Sequence, residues 1–192
     1  KLFFGKPIIF YSILLAKRSK LFDKIIVSTD SVKISKIAIK NGAEAPFIRP
    51  KIFSDDFATD YDVINHFLSY SKDKNIKIKK LCYLYATNPL TNVRILKQCL
   101  NELGKKGCQK VITICKFPQP IQRAIKKNKN NFYEFLNKSF INSRSQDLDG
   151  YYYDTANCCW FNFNRINKLT KKLATRAVEV NKQVVCDVNT IE

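Results

Sequence analysis

Alternation of short apolar or β-branched runs with segments of helical period predicts a doubly wound α/β sheet, mostly parallel, as one domain over residues 1–192. Three observations carry it: strand-like IIVST followed by a helix-period stretch, the apolar run KLCYLYAT, and a second such run, KVITICKF. Residues 24–29 form the first of these strands and 31–41 the helix after it, with Asp30 read as its cap. Gly42 stops that helix, and 43–50 is a second strand ending in a proline-fixed turn. Residues 54–56 lead into a helix at about 60–72. The run at 79–87 reads as a central strand covered on both faces. Thr91 is the expected N-cap of a helix at about 92–104, stopped by Gly104, and 110–117 is the next strand. Residues 118–156 lose the period and read as an excursion, with KKNKN at 126–130 as a hairpin turn. The sheet pattern resumes at 157–163, with a helix at about 164–173 and two short runs at 176–180 and 183–188.

Composition bounds the function. A 45 % hydrophobic, 12 % aromatic chain is too apolar for disorder. The apolar run at 7–16 is too short to span a bilayer, and KLFFGKPII lacks the plan of a signal peptide, so the expected location is cytoplasmic with no membrane partner. The seven cysteines show no Cys-x-x-Cys spacing and read as reduced, mostly buried thiols. His66 is the sole histidine, placed on a helix surface or core edge, which leaves no Ser/His/Asp or Cys/His nucleophile system. There is no GxGxxG or GxxxxGK phosphate loop. The net charge of +18 fits a nucleic-acid surface, a polyanion site or a solvated basic coat. The chain contains no methionine, which suggests a piece of a longer protein.

The series GKPII (5–9), IIVSTD (25–30), RPKIFSDD (49–56), LYATNPL (84–90), PIQRA (120–124) and RSQDL (144–148), then Tyr152 with Asp154, resembles the acylneuraminate cytidylyltransferases. PIQRA and RSQDL are most similar to the pseudaminic acid members. The resemblance spans nearly the whole chain and implies a nucleotide-diphospho-sugar transferase fold. The family begins with a strand and a phosphate-wrapping loop, so residues 1–192 are expected to lack both and not to turn over alone. The implied reaction is attack of a sugar hydroxyl on the α-phosphate of CTP, with Mg²⁺ as cofactor and an acidic nine-carbon sugar as acceptor. It also implies a homodimer, through the 118–156 excursion, and no specific nucleic acid.

Roles follow from the matched positions. Asp187 and Asn189 occupy the metal pair, Asn189 replacing an acid with a neutral carbonyl donor. Asp187 is also read as catalytic, against a plain strand-end turn. Arg49, Ser54, Asp55 and Thr87 are assigned to the nucleotide, the arginine fork suiting the cytosine acceptors. Arg144 is the first choice for the sugar carboxylate and is also read as catalytic. Gln122, Arg123, Gln146, Tyr152 and Asp154 are assigned to the sugar, although Tyr151–Tyr153 also suits an interface. Thr155 to Cys159 depart from the family pattern. The remaining alternatives are an inactive paralogue or fragment and a basic nucleic-acid-binding α/β module.

Overall fold

The computed structural model describes residues 1–186 and Val188. Phe4 and Gly5, both at positive φ, turn a small hairpin of β1 (Leu2–Phe3) and β2 (Lys6–Pro7). The apolar run that follows is helix α1 (Ile8–Ser19), an element that sequence reading left unassigned. Its buried positions, Ile13, Ala16 and Ser19, recur every three residues along one face. Among the described residues no helix is long and apolar enough to cross a membrane.

Residues 24–29 and 43–50 run side by side in parallel, but as a single bridge, Ile26 to Glu44, and not as the two strands expected. Val27 N–H donates to Glu44 O at 2.8 Å, and Arg49 N–H to Thr29 O at 2.8 Å. Helix α2 (Val32–Lys40) is capped by Ser31, whose hydroxyl accepts from Ile34 N at 3.3 Å, and not by Asp30. Gly42 ends it at φ 87°, as read. The ribbon packs its Ile25 and Val27 against Ile13 and Ala38 of the two helices.

Helix α3 (Asp60–Asp73) starts in a capping box between Thr59 and Asp62. The main sheet follows: β3 (Lys80–Leu84), β4 (Lys110–Lys116), β7 (Tyr152–Asn162) and β8 (Thr175–Glu179), in the order β3-β7-β4-β8. A satellite hairpin, β5 (Ile125–Lys127) and β6 (Tyr133–Phe135), turns at 128–132, later than the 126–130 expected because Lys126 and Lys127 pair with β6. Strand β7 runs antiparallel to β3 and β4, and β8 runs parallel to β4, so three of the four strands point one way. The central-strand expectation for 79–87 is corrected. Strand β3 is the outer member of this sheet and its side chains are only half-buried, while β7 takes the interior place.

Alternate residues of β7 face opposite sides, as a strand requires. Cys158 and Trp160 enter one core with Ile95, Leu96, Cys99 and Leu103 of α4 (Val93–Gly104). Cys159 and Phe161 enter the other with Ile64 of α3. Helix α4 is capped by Asn92, which accepts from Ile95 N at 3.1 Å, and not by Thr91. Five residues of β7, Tyr152–Ala156, come from the stretch read as excursion.

No helix forms at 164–173, although Ile166, Leu169 and Leu173 are spaced like one and pack against the Phe161 core. Asn162 diverts the chain: its Oδ1 accepts from Asn164 N at 3.2 Å and its carbonyl from Arg165 N at 3.0 Å. The Arg165 guanidinium then donates to Lys105 O at 2.6 Å, Cys108 O at 3.1 Å and Leu103 O at 3.2 Å, closing the carboxyl end of α4. The run at 183–188 forms a 3₁₀ turn at Lys182–Val184 and no strand among its described residues.

Arg165→Ala removes these donors together and is expected to destabilise the protein by about 1–3 kcal/mol, with Arg165→Lys recovering only part. Denaturant unfolding checks it; equal midpoints for wild type and Arg165→Ala would show the cap to be dispensable.

Candidate functional site

Because β3, β4 and β8 share a direction, the segments leaving them gather at one end of the sheet, which is also where β7 begins. Ligands of doubly wound sheets bind at that end. Two polar groups flank it.

The first centres on Arg49. Its Nε donates to Ser54 Oγ at 2.9 Å and its Nη1 to Ser28 O at 3.3 Å, so two assigned nucleotide residues do meet. The ties fix the guanidinium plane and leave its other N–H groups to be presented. Asp55 is spent locally: its Oδ1 accepts from Phe57 N at 3.1 Å and Ala58 N at 2.8 Å. Thr87 lies just past β3, where its carbonyl accepts from Val188 N at 2.9 Å.

The structure adds residues that the sequence reading passed over. Tyr85 donates its hydroxyl to Asp60 in a short hydrogen bond. Tyr83, two residues earlier on the same side of the strand, lies against it with ring centroids 4.9 Å apart. Burial first, and the Asp60 carboxylate second, keep both phenols protonated far above their ordinary range. The Arg49 charge acts in the opposite sense on Tyr83. The signal in the sequence is the period-two spacing of tyrosines at the end of KLCYLY.

His66 of α3 lies 4.8 Å from the Phe47 ring and 5.3 Å from the Phe53 ring, at the core edge as expected. Its Nδ1 is buried and has no hydrogen-bond partner. Burial first, and the positive charge of Arg49 second, hold it neutral below the ordinary imidazole range.

The second group joins PIQRA to RSQDL. Gln122 donates to Asp149 O at 3.0 Å, Arg123 Nη1 to Ser145 Oγ at 3.3 Å, and Arg144 Nε to Asp147 Oδ2 at 2.7 Å. Gln146 lies exposed in the same 3₁₀ turn, Ser145–Asp147. Tyr152 is exposed opposite Lys116, and Asp154 accepts from Ala156 N at 2.9 Å. Gln122, Arg123 and Arg144, distant in sequence, are therefore brought onto one surface.

Asp187 and Asn189 lie outside the described residues. Among the described residues no group of three or more carboxylate, thiol or imidazole side chains is placed to hold a metal. All seven thiols are free, and burial first of all pushes Cys159 up to about 12, so it is no nucleophile at neutral pH.

A family profile described as cytidylyltransferase matches residues 1–148. The chain is 35 % identical over 193 aligned residues to the pseudaminic acid cytidylyltransferase of Campylobacter jejuni, covering 99 % of this chain and 83 % of that protein. It is 28 % identical to the N-acylneuraminate cytidylyltransferase of Streptococcus agalactiae, over 97 % of this chain and 45 % of that one. Among solved structures, a CMP:2-keto-3-deoxy-manno-octonic acid synthetase complexed with CTP superposes with a TM-score of 0.64 at 12 % identity, over 94 % of this chain and 81 % of that one. This structural likeness establishes the shared nucleotidyltransferase fold, in accord with the α/β architecture.

The neutral state of His66 gives a signed pH dependence. A depressed imidazole leaves the unfolded chain holding more protons between the folded value and the ordinary 6.5. The stabilisation is complete above 6.5 and is lost as pH falls through the folded value. His66→Phe is expected to flatten this part of the melting-temperature profile; a mutant profile parallel to wild type from pH 7 to pH 5 would contradict it.

Proposed function

The chain belongs to the cytidylyltransferase family, and we propose that it transfers CMP from CTP to a nonulosonic acid of pseudaminic type, releasing pyrophosphate, for surface glycan biosynthesis. The observation that carries this reading is the 35 % identity to a pseudaminic acid cytidylyltransferase over 99 % of the chain. In the reaction the sugar's anomeric oxygen forms a bond to the α-phosphorus, the bond to the β-phosphate bridge breaks, and the hydroxyl proton is lost. Such transfers depend on positioning and charge neutralisation more than on covalent help from the protein.

In this reading Arg49, held by Ser54 and Ser28 O, presents its free N–H groups to the acceptors of cytosine. Thr87 lines the approach to the phosphates from the end of β3, and Asp55 sets the turn beside the base through its own hydrogen bonds. Arg144 and Arg123 receive the acceptor's carboxylate, with Gln122, Gln146, Tyr152 and Asp154 around its substituents. A planar fork and a carboxylate pair in bidentate fashion, which selects acidic sugars over neutral ones. Mg²⁺ held at Asp187 and Asn189 would offset triphosphate charge; among the described residues no group of three or more carboxylate, thiol or imidazole side chains is placed to hold it. The CTP requirement fits a cytoplasmic enzyme.

The 118–156 excursion serves, in the same reading, for sugar binding and for pairing with a second copy. It exposes Ile125, Phe132, Tyr133 and Leu136, the last three at 62–71 %. They lie on or beside a hairpin whose two strands, among the described residues, pair only with each other.

A pyrophosphate-release assay of the natural full-length protein with CTP, Mg²⁺ and pseudaminic, legionaminic or sialic acid tests the reaction; no release with any of the three would sink it. Arg144→Ala is expected to raise the KM for the sugar by at least about tenfold while leaving the KM for CTP within about twofold. Equal loss toward both substrates would reassign Arg144. Sedimentation at tens of micromolar is expected to show a dimer that Phe132→Asp disperses, and a wild-type monomer would remove the pairing.

A further inference from the structure

Strand β7 carries an insertion beside the sheet end just described. Ile112 of β4 pairs with Cys159 and Ile114 pairs with Asp154, so Thr113 alone stands opposite Thr155, Ala156, Asn157 and Cys158. The extra residues bulge, and Ala156 adopts φ 48°, a left-handed conformation that an alanine takes only under constraint. The bulge drives Asn157 fully inside, at 0 % exposure.

The buried amide joins three separate segments. Asn157 Nδ2 donates to Thr91 Oγ1 at 3.0 Å and to Val184 O at 2.9 Å, and its backbone N–H donates to Thr113 Oγ1 at 3.3 Å. Thr91 passes the link on, donating to Asn88 O at 3.1 Å, while Asn88 Nδ2 returns to the bulge at Thr155 O and Ala156 O. Asn157 Oδ1 has no partner, so the donor side alone holds the side chain in place. A few residues beyond Val184, the chain touches the loop after β3 again, where Val188 N donates to Thr87 O at 2.9 Å.

We infer that Asn157 is a positioning residue, clamping the loop after β3 to the segment after β8 so that Thr87 and Val188 stay side by side at the phosphate end of the site. The inference rests on the assignment of Thr87 to the nucleotide. A buried amide suits the task because both of its donors are satisfied only when Thr91 and Val184 are simultaneously in place, and an unmet buried donor is costly. The clamp acts through backbone atoms and one hydroxyl, so it leaves no charge near the triphosphate.

Hydrogen–deuterium exchange on the 192-residue chain reads the clamp directly. In Asn157→Ala, amides of the 182–188 segment should exchange about tenfold faster than in wild type, with β4 and β8 unchanged. Wild-type rates in 182–188, or acceleration spread equally into β4, overturn the clamp. Should Asn157→Ala fail to fold, Thr91→Val removes one acceptor at nearly constant volume, and the same local pattern is expected. In the CTP assay of the natural full-length protein, either folded variant should lose about tenfold in kcat/KM for CTP and little in the KM for the sugar. Equal losses toward both substrates contradict a role at the phosphate end. A wild-type protein that ignores CTP defeats the functional reading, whereas the exchange pattern decides the clamp by itself.

Discussion

The insertion of β7 between β3 and β4 is the constraint from which the rest of the structure follows, because one strand must serve two cores with alternate side chains. Trp160 stacks on Phe22 at 5.4 Å on the side of α4, and Phe161 meets the Tyr61 ring from α3 on the other. A slip of one residue would exchange these sets and press Asn162 or Asn157 into the wrong layer. The register is therefore fixed by volume as much as by hydrogen bonds. It also fixes direction: two parallel strands flanking an antiparallel one deliver their following loops to the same end, beside the start of β7.

That end is polar where the cores are apolar, and the change occurs within the strand. From Cys158 to Phe161 β7 carries thiols and aromatic rings, while from Thr155 to Asn157 its backbone and the Asn157 side-chain amide bond to neighbouring segments. Desolvating the Asn157 amide donors has a cost that their hydrogen bonds to Thr91 and Val184 offset. The bulge supplies the extra backbone needed to reach the partners. Architecture and site geometry thus share residues, and a substitution in the bulge will disturb the mouth of the site before it disturbs the cores.

Much of this was legible in the sequence, and the failures have physical causes. The strand and helix alternation from 24 to 117 was visible because apolar period and glycine stops agree there. The ribbon at 25–29 and 44–49 fell short of strands because one residue pair alone, Ile26 with Glu44, forms a bridge there, which no periodicity reports. Apolarity marked KLCYLY as central, yet side-chain character records what could be covered and not what lies alongside in the sheet. Residues 164–173 have helical spacing, but Asn162 folds the chain back on Asn164 and the Arg165 side chain is tied to the end of α4, contacts that a periodicity does not report. Among site residues, Arg49 with Ser54 and Gln122 with Arg123 and Arg144 were legible as motifs. Asp60 with Tyr83 and Tyr85 was not, since that grouping arises where the first residue of α3 meets the end of β3.

The large positive charge acquires a narrower meaning from where the cations stand. The four ion pairs among the described residues all lie at the surface, where such pairs contribute little, so the lysine excess does not account for the fold. Arg144 is the informative case. Its Nε rests on Asp147 at 2.7 Å while the side chain remains 73 % exposed. An exposed pair of this kind is worth at most about 1 kcal/mol, and an arriving carboxylate exchanges one anion for another. In the proposed reading the arginine is held in orientation without being committed, and a sugar acid that offers both carboxylate oxygens would make the better partner. Asp147 therefore acts as a placeholder, keeping Arg144 extended toward the face where Arg123 and Gln122 already stand.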